Sequence, residues 1–182
     1  MNDLVIIQTT QGLANYVLKC FKTPKEAMEA GAVISFDARH NSARWARLAA
    51  RVFLKLGFKV QLFTKITPTP FVPFAVQQQK AAVGVMITAS HNPKEDNGYK
   101  VFWSNGPQIK LPHDKNILNS ISEHLEPADP KAFEEDLTEF GDNLIDSTEI
   151  TEKAYYTVLK SLLFDMSMNE KSELKIVYSA SK

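Results

Sequence analysis

The sequence predicts an α/β fold whose central sheet is mainly parallel. Short apolar or β-branched runs alternate with longer stretches in which apolar residues recur at helical spacing, which is typical of parallel βαβ units. The run Val83–Ile87 is almost entirely apolar, as expected for a strand that helices cover on both faces. An Asn-Gly pair at residues 105–106 lies between two apolar runs and predicts a hairpin, so we expect one antiparallel pair in a mixed sheet.

Four segments have the i, i+3, i+4 spacing of amphipathic helices. Their apolar positions, in chain order, are Leu13, Tyr16, Val17, Cys20 and Phe21; Trp45, Leu48, Ala49, Val52, Phe53 and Leu56; Ile117, Leu118, Ile121 and Leu125; and Tyr155, Val158, Leu159 and Leu162. Cys20 is the one cysteine of the chain, and its place on the first apolar face predicts a buried core thiol. Gly57 follows the second helix as a stop signal, and a shorter helix is predicted over residues 72–79.

The second helix also carries a basic stripe opposite its apolar face. The stripe consists of Arg44, Arg47, Arg51 and Lys55. Long charged side chains commonly cover the outward surface of a helix, so the stripe predicts a solvated face.

The predicted strands occupy the intervals between these helices. They are residues 32–36, 58–63, 83–87, 99–103 and 108–110, the last two flanking the Asn-Gly turn. The acidic, turn-rich stretch 126–147 is interpreted as a surface excursion. Residues 174–178 predict one further strand, which would open a second domain. We therefore expect a first domain over residues 1–172 and the first strand of another domain over residues 173–182.

Composition excludes several classes of function. The 182 residues hold 21 basic and 21 acidic side chains, and a net charge of +0 gives no whole-chain attraction to nucleic acid or to an anionic membrane. One cysteine excludes an internal disulfide framework and the zinc-finger patterns. The longest apolar run, residues 81–87, is too short to span a bilayer, and the opening residues lack the features of a signal peptide. We expect a cytoplasmic protein with no nucleic-acid or membrane partner.

Three loops follow predicted parallel strands, namely residues 37–39, 67–70 and 88–100. Open parallel sheets bind ligands at the carboxyl ends of their strands, so we expect these loops to meet at one edge. The third loop carries the hydroxyl of Ser90, which can serve as a nucleophile or phosphoryl carrier. His91, Lys94 and Lys100 could balance the charge of a phosphate. From the residues alone, a hydrogen-bonded surface turn between two strands is the favoured interpretation of this loop.

The motif Thr-Ala-Ser-His-Asn-Pro at residues 88–93, followed by Asn-Gly-Tyr-Lys at residues 97–100, resembles the phosphoserine loop of the α-D-phosphohexomutases. Asp-Ala-Arg at residues 37–39 and Pro-Thr-Pro at residues 68–70 match the first domain of that family in the same order. The opening residues are similar to the phosphopentomutase / phosphoglucomutase-2 branch, which includes glucose-1,6-bisphosphate synthase. The resemblance implies a three-layer α/β/α domain I with a mainly parallel mixed sheet.

The resemblance also implies an activity and a set of site residues. Ser90 would carry a phosphoryl group, pass it to a sugar phosphate and regain one from the bisphosphate formed. The implied catalytic residues are Ser90, His91 and Lys100, and the implied substrate- or phosphate-binding residues are Arg39, Asn92, Lys94 and Asn97. The implied substrates are glucose 1-phosphate, ribose 1-phosphate and deoxyribose 1-phosphate. A sugar bisphosphate would act as activator, and Mg²⁺ would bind the phosphate on Ser90.

The chain also departs from the family pattern. The family's upstream Gly-Thr-Ala-Gly-Leu-Arg-like segment and the metal, sugar-selecting and phosphate-binding loops of its three later domains do not occur here. We therefore expect an incomplete domain I, an incomplete Mg²⁺ site and a chain that is inactive by itself. Two alternatives stay open: a non-catalytic phosphate-binding or interaction module, and a glucose-1,6-bisphosphate synthase that uses a glycolytic phosphoryl donor.

Overall fold

The computed structural model describes residues 1–163 and 165–179. Its helices are α1 (Asp3–Cys20), α2 (Pro24–Ala30), α3 (Ser42–Lys55), α4 (Phe71–Gln79), α5 (His113–Glu123), α6 (Thr148–Leu163) and α7 (Met166–Glu170). Its strands are β1 (Ala32–Phe36), β2 (Val60–Leu62), β3 (Val83–Ile87), β4 (Tyr99–Trp103) and β5 (Leu144–Asp146). A 3₁₀ segment, Thr138–Asn143, precedes the last strand. Among the described residues, no helix has the length and apolar content needed to cross a membrane.

The strands form one mixed sheet in the order β4-β3-β1-β2-β5. β3 and β4 are antiparallel, and the other neighbouring pairs are parallel. The chain passes from β1 to β2 on one side and then returns to place β3 on the other side of β1. This reversal leaves a crevice beside the carboxyl ends of β1 and β3, which is where open α/β sheets bind ligands.

Helices cover both faces of the sheet, and each face has its own apolar core. Ile34, Val85 and Ile87 pack into a core with residues of α1, α3 and α5. Val33 and Met86 point to the opposite face, where they pack against α4. The alternation follows from the two-residue period of a strand. The predicted three-layer α/β/α architecture with a mainly parallel mixed sheet is therefore confirmed.

Two predictions about individual side chains were wrong. Cys20 is exposed at the last residue of α1. Arg51, which was expected on a solvated face, is 1% exposed. Its guanidinium pairs with Asp129 at 2.9 Å and with Glu139 at 2.5 Å, so that a segment distant in sequence covers this part of α3.

The third and fourth predicted helices exist, but their apolar faces are only partly covered. Ile117 is buried on α5, whereas Leu118 is 63% exposed and Leu125 lies beyond the end of the helix. On α6, Val158 and Leu162 are exposed because only the first half of the helix packs onto the domain.

Three predicted segments differ in the structure. The stretch 126–147 is more than a surface excursion, since Leu144–Asp146 pairs in parallel with β2 and Leu137 is buried. The predicted strand at residues 108–110 is reduced to a single bridge between Phe102 and Gln108. Residues 174–178 form no strand among the described residues, where Ile176 is 78% exposed and Val177 98% exposed. Residues 180–182 of the predicted terminal strand lie outside the described residues.

Candidate active site

The loops that follow β1 and β3 meet at the carboxyl edge of the sheet. Hydrogen bonds from Arg39 and Asn97 join the two loops directly. The loop at residues 67–70 is anchored to the same edge, because Thr67 hydrogen-bonds to the hydroxyl of Ser35 in β1 and its amide donates to the carbonyl of Phe36. The prediction that these loops share one sheet edge is confirmed.

Ser90 lies at the tip of the loop after β3 in a left-handed conformation, with a φ of 58°. This region is uncommon for a residue with a Cβ atom, and its occurrence in an ordered loop points to functional strain. The Ser90 amide donates to the hydroxyl of Thr88 at 3.0 Å, and Thr88 is itself buried. The backbone at Ser90 is thus anchored to the end of β3 while the residue itself stays exposed.

Lys100 approaches Ser90 from the neighbouring strand. It lies on β4 opposite Met86 of β3, and its ammonium donates a hydrogen bond to Ser90 Oγ. The antiparallel pairing therefore returns the chain to the serine ten residues later along the sequence. A cation in this position favours negative charge on the serine oxygen, whether on an alkoxide or on a phosphate ester.

Arg39 extends from the loop after β1 across the serine loop, and its side chain is 11% exposed. Its Nε donates to Asp37 Oδ2 at 3.0 Å. Its two terminal nitrogens donate to backbone carbonyls of the serine loop, which belong to Ser90, Asn92, Pro93 and Asp96. The guanidinium is thus engaged with the protein itself.

The other predicted binding residues fall into two groups. Asn97 donates to the carbonyl of His40 at 2.8 Å, and Asn92 donates to the Asp96 carboxylate at 3.2 Å, so both amides hold loop structure. His91 and Lys94 are exposed beside Ser90, with their polar groups open to solvent and ligand.

A cavity of about 470 Å³ opens at this junction. It is lined by Asp37, Ala38, Arg39, His40, Ser90, His91, Asn92 and Lys94. This volume lies within the usual range of small-molecule sites, about 300–1,000 Å³. Sequence reasoning missed His40 as a lining residue; its position directly after the Asp-Ala-Arg motif is the signal that could have found it. A second cavity, of about 740 Å³, lies against α6 and shares no lining residue with the cavity beside Ser90.

The residues of this site do not make up a complete Mg²⁺ site. No cluster of three or more His, Cys, Asp or Glu side chains suited to a metal occurs in the described part of the chain. Asp37 already accepts from Arg39 and Ser42, and Asp96 accepts from Asn92. Mg²⁺ demands near-octahedral oxygen coordination, of which a phosphate on Ser90 would supply only part.

The chain matches a family model described as "Phosphoglucomutase/phosphomannomutase, alpha/beta/alpha domain I" over residues 1–128. Phosphopentomutase from Homo sapiens is 48% identical over 186 residues, which cover 99% of this chain and 30% of that protein. Glucose 1,6-bisphosphate synthase from Homo sapiens is 42% identical over 193 residues, covering 99% and 29%. Phosphoribomutase from Saccharomyces cerevisiae is 53% identical over 130 residues, covering 70% and 20%.

The solved structures give the same result. A Thermus thermophilus protein assigned as a phosphomannomutase superposes with a TM-score of 0.74 at 25% sequence identity, covering 94% of this chain and 35% of that one. The present chain spans about a third of the length of the relatives that it matches. The sheet order, the serine loop and the matched residues therefore show that the chain belongs to the phosphoglucomutase/phosphomannomutase family, as its α/β/α domain I.

Proposed function

We propose that Ser90 carries a phosphoryl group and exchanges it with a sugar phosphate, in an intramolecular phosphotransferase reaction of the phosphopentomutase or phosphoglucomutase type. The observation that carries the proposal is the hydrogen bond from the Lys100 ammonium to Ser90 Oγ, because Ser90 lines the cavity. Phosphoryl transfer depends mainly on positioning and on stabilising charge, and a lysine fixed beside the acceptor oxygen contributes to both.

In the proposed step, the bond between phosphorus and Ser90 Oγ breaks while a bond forms from phosphorus to a hydroxyl oxygen of the sugar phosphate. The proton of that hydroxyl passes to the imidazole of His91, which is exposed beside Ser90. Lys100 stabilises the departing serine oxygen and supplies its proton. Transfer back from the other phosphate of the bisphosphate reverses each proton movement and restores the phosphoserine.

The relatives favour a pentose or hexose 1-phosphate as substrate. Phosphopentomutase and phosphoribomutase are named for pentose phosphates, and glucose 1,6-bisphosphate synthase for a hexose bisphosphate. We infer that ribose 1-phosphate, deoxyribose 1-phosphate and glucose 1-phosphate are candidate substrates and that a sugar bisphosphate primes Ser90. The synthase reaction remains a second candidate because that relative aligns over 99% of this chain.

We also infer that the chain contributes only the phosphoserine part of a larger site. Residues 1–172 would form domain I, and residues 173–182 would begin the next domain. This inference is supported by the apolar segment at residues 174–178, whose Leu174, Ile176, Val177 and Tyr178 are 74–98% exposed. Mg²⁺ would then find its remaining ligands outside this chain, and a cytoplasmic location stays a prediction.

Labelling with a sugar bisphosphate tests the proposal. The chain is incubated with glucose 1,6-bisphosphate and Mg²⁺, and the modified residue is identified by mass spectrometry. We expect up to one phosphate per chain, on Ser90, and no label in Ser90→Ala. Ser104→Ala is the matched control, because Ser104 is an exposed loop serine that does not line the cavity, and it should label like the wild type. Label retained in Ser90→Ala, or an unlabelled wild type, would contradict the proposal.

A further inference from the structure

We propose that Arg39 is a positioning residue that folds the serine loop into its reactive shape, and that it is not a ligand of the substrate phosphate. The inference rests on the proposed function in one respect only, namely that Ser90 is the reacting group. The shape of the loop itself can be measured without any reaction.

The hydrogen-bond capacity of Arg39 is fully used within the protein. A guanidinium has five N–H donors and no acceptor. Nε donates to Asp37 Oδ2 at 3.0 Å. One terminal nitrogen donates to the carbonyls of Pro93 and of Asp96, the latter at 3.1 Å. The other donates to the carbonyls of Ser90 at 2.9 Å and Asn92 at 2.7 Å. A phosphate could bind this group only by displacing one of these partners.

Arg39 is itself held in place by Asp37, which is in turn bound to the start of α3. Asp37 Oδ1 accepts from the Arg39 amide at 3.1 Å and from the hydroxyl of Ser42, the first residue of α3, at 2.8 Å. The Arg39 side chain is only 11% exposed, and that of Asp37 is 21% exposed. Desolvation strengthens such charge-assisted hydrogen bonds. The guanidinium is therefore a fixed point between the end of β1 and the serine loop.

This fixed point explains how Ser90 keeps a left-handed backbone. A residue with a Cβ atom holds such a conformation only at an energetic cost, and only where its surroundings over-determine it. Four carbonyls within seven residues of the loop turn toward the same guanidinium, including that of Ser90. The resulting turn points Ser90 Oγ toward the ammonium of Lys100.

Lysine cannot substitute for arginine here. An ammonium has three donors on one nitrogen, whereas the four carbonyls and the Asp37 carboxylate surround a planar fork. Arg39→Lys therefore keeps the positive charge and removes the geometry. If Arg39 bound phosphate through its charge, this variant would keep much of the affinity; if it shapes the loop, the variant should behave like Arg39→Gln.

The test compares Arg39→Lys and Arg39→Gln with Arg47→Gln, an exposed arginine on α3 that serves as the control. The first readout is hydrogen exchange of the Asn92 and Asp96 amides, which donate to Ala89 and Pro93 within the loop. The second is the rate of Ser90 labelling against the concentration of glucose 1,6-bisphosphate. We expect both Arg39 variants to exchange these amides at least about tenfold faster, with a maximal labelling rate at least about tenfold lower and an unchanged half-saturating concentration.

The two readouts separate the possible failures. Unchanged amide exchange together with a raised half-saturating concentration would make Arg39 a phosphate ligand and overturn the inference. If the wild type takes no label, the proposed function is wrong. The exchange measurement would still decide whether Arg39 shapes the loop. A fall in protection that spreads to the amides of β1 and β3 in both variants would show general destabilisation and would also overturn the inference.

Discussion

At the scale of single residues, the contact between Lys100 and Ser90 carries the proposed chemistry. A preorganised cation beside a reacting oxygen contributes more in the transition state than in the ground state. Lys100 lies on a strand, and strands fix side chains more rigidly than loops do. The pair therefore combines an exposed, strained serine with a partner that the sheet holds in place.

Truncation of Lys100 tests that role. We expect Lys100→Ala to slow the labelling of Ser90 by a sugar bisphosphate by about 10²-fold, the size of the loss when one oxyanion donor is removed. Lys110→Ala removes an exposed lysine near the start of α5 and is the control, for which the rate should not change. Equal labelling rates for Lys100→Ala and the wild type would show that Lys100 is a surface cation with no role in the transfer.

At the scale of elements, Arg51 ties α3 to the segment at residues 126–147. Its guanidinium donates to the carboxylate of Asp129, which lies 78 residues further along the chain, and to the carbonyl of Asp136. Burial by itself would raise the pKa of Asp129, but hydrogen bonds from the Lys131 amide and from Arg51 outweigh it and lower the pKa below its ordinary value. The ion pair between Arg51 and Asp129 thus holds the segment that contains β5 against α3.

The pH dependence of stability follows from the sign of that shift. A carboxyl whose folded pKa is lowered adds stability at pH values above its unfolded pKa of about 3.9, and this stability is lost as the pH falls through the folded pKa. We expect Asp129→Asn to lower the free energy of unfolding by about 3 kcal/mol at pH 7, because it leaves Arg51 partly unpaired. The difference from the wild type should shrink below about pH 4.

Urea unfolding at a series of pH values measures the effect. Asp142→Asn removes an exposed carboxylate from the same segment and is the control, with an expected change within about 0.5 kcal/mol. A penalty for Asp129→Asn that stays constant from pH 7 to pH 3 would show that the carboxylate charge does not stabilise the fold.

At the scale of the whole molecule, apolar side chains on α6 and α7 are left uncovered. The face of α6 that packs through Thr151 and Tyr155 continues to Val158 and Leu162, and these two are exposed. Met166 and Met168 of α7 are exposed as well. The chain covers about a third of the length of its relatives.

The purified chain should therefore show no appreciable mutase turnover and only weak Mg²⁺ binding. Labelling of Ser90 is a smaller demand, because it needs one transfer per chain over a long incubation, whereas turnover needs two transfers in every cycle. A sugar phosphate held by one wall of a cleft loses much of the positioning that contributes up to roughly 7–11 kcal/mol in well-oriented reactions. Assays with ribose 1-phosphate and glucose 1-phosphate measure turnover, and calorimetry measures Mg²⁺ binding. Turnover close to that of a full-length relative would require a different model of the site.

The sequence by itself determined the local elements and the content of the serine loop. β1, β3, α3 and α4 fall where apolar spacing and the glycine stop predict them, because these signals act within a few residues. The motif around Ser90 predicted the family. The position of residues 37–39, 67–70 and 88–100 after three predicted parallel strands predicted that the loops share an edge. These predictions depend only on the order of the residues and on the chemistry of their side chains, both of which can be read from the sequence.

Only the tertiary structure decided which groups meet. The five partners of Arg39, the burial of Arg51 and the pairing of β5 with β2 depend on the order of strands in the sheet, which joins residues far apart in the chain. A buried charge needs partners, but the residues next to it in sequence do not reveal which distant residues those partners are. For that reason the family resemblance implied a phosphate-binding role for Arg39, whereas the folded chain turns its five donors toward Asp37 and the serine loop.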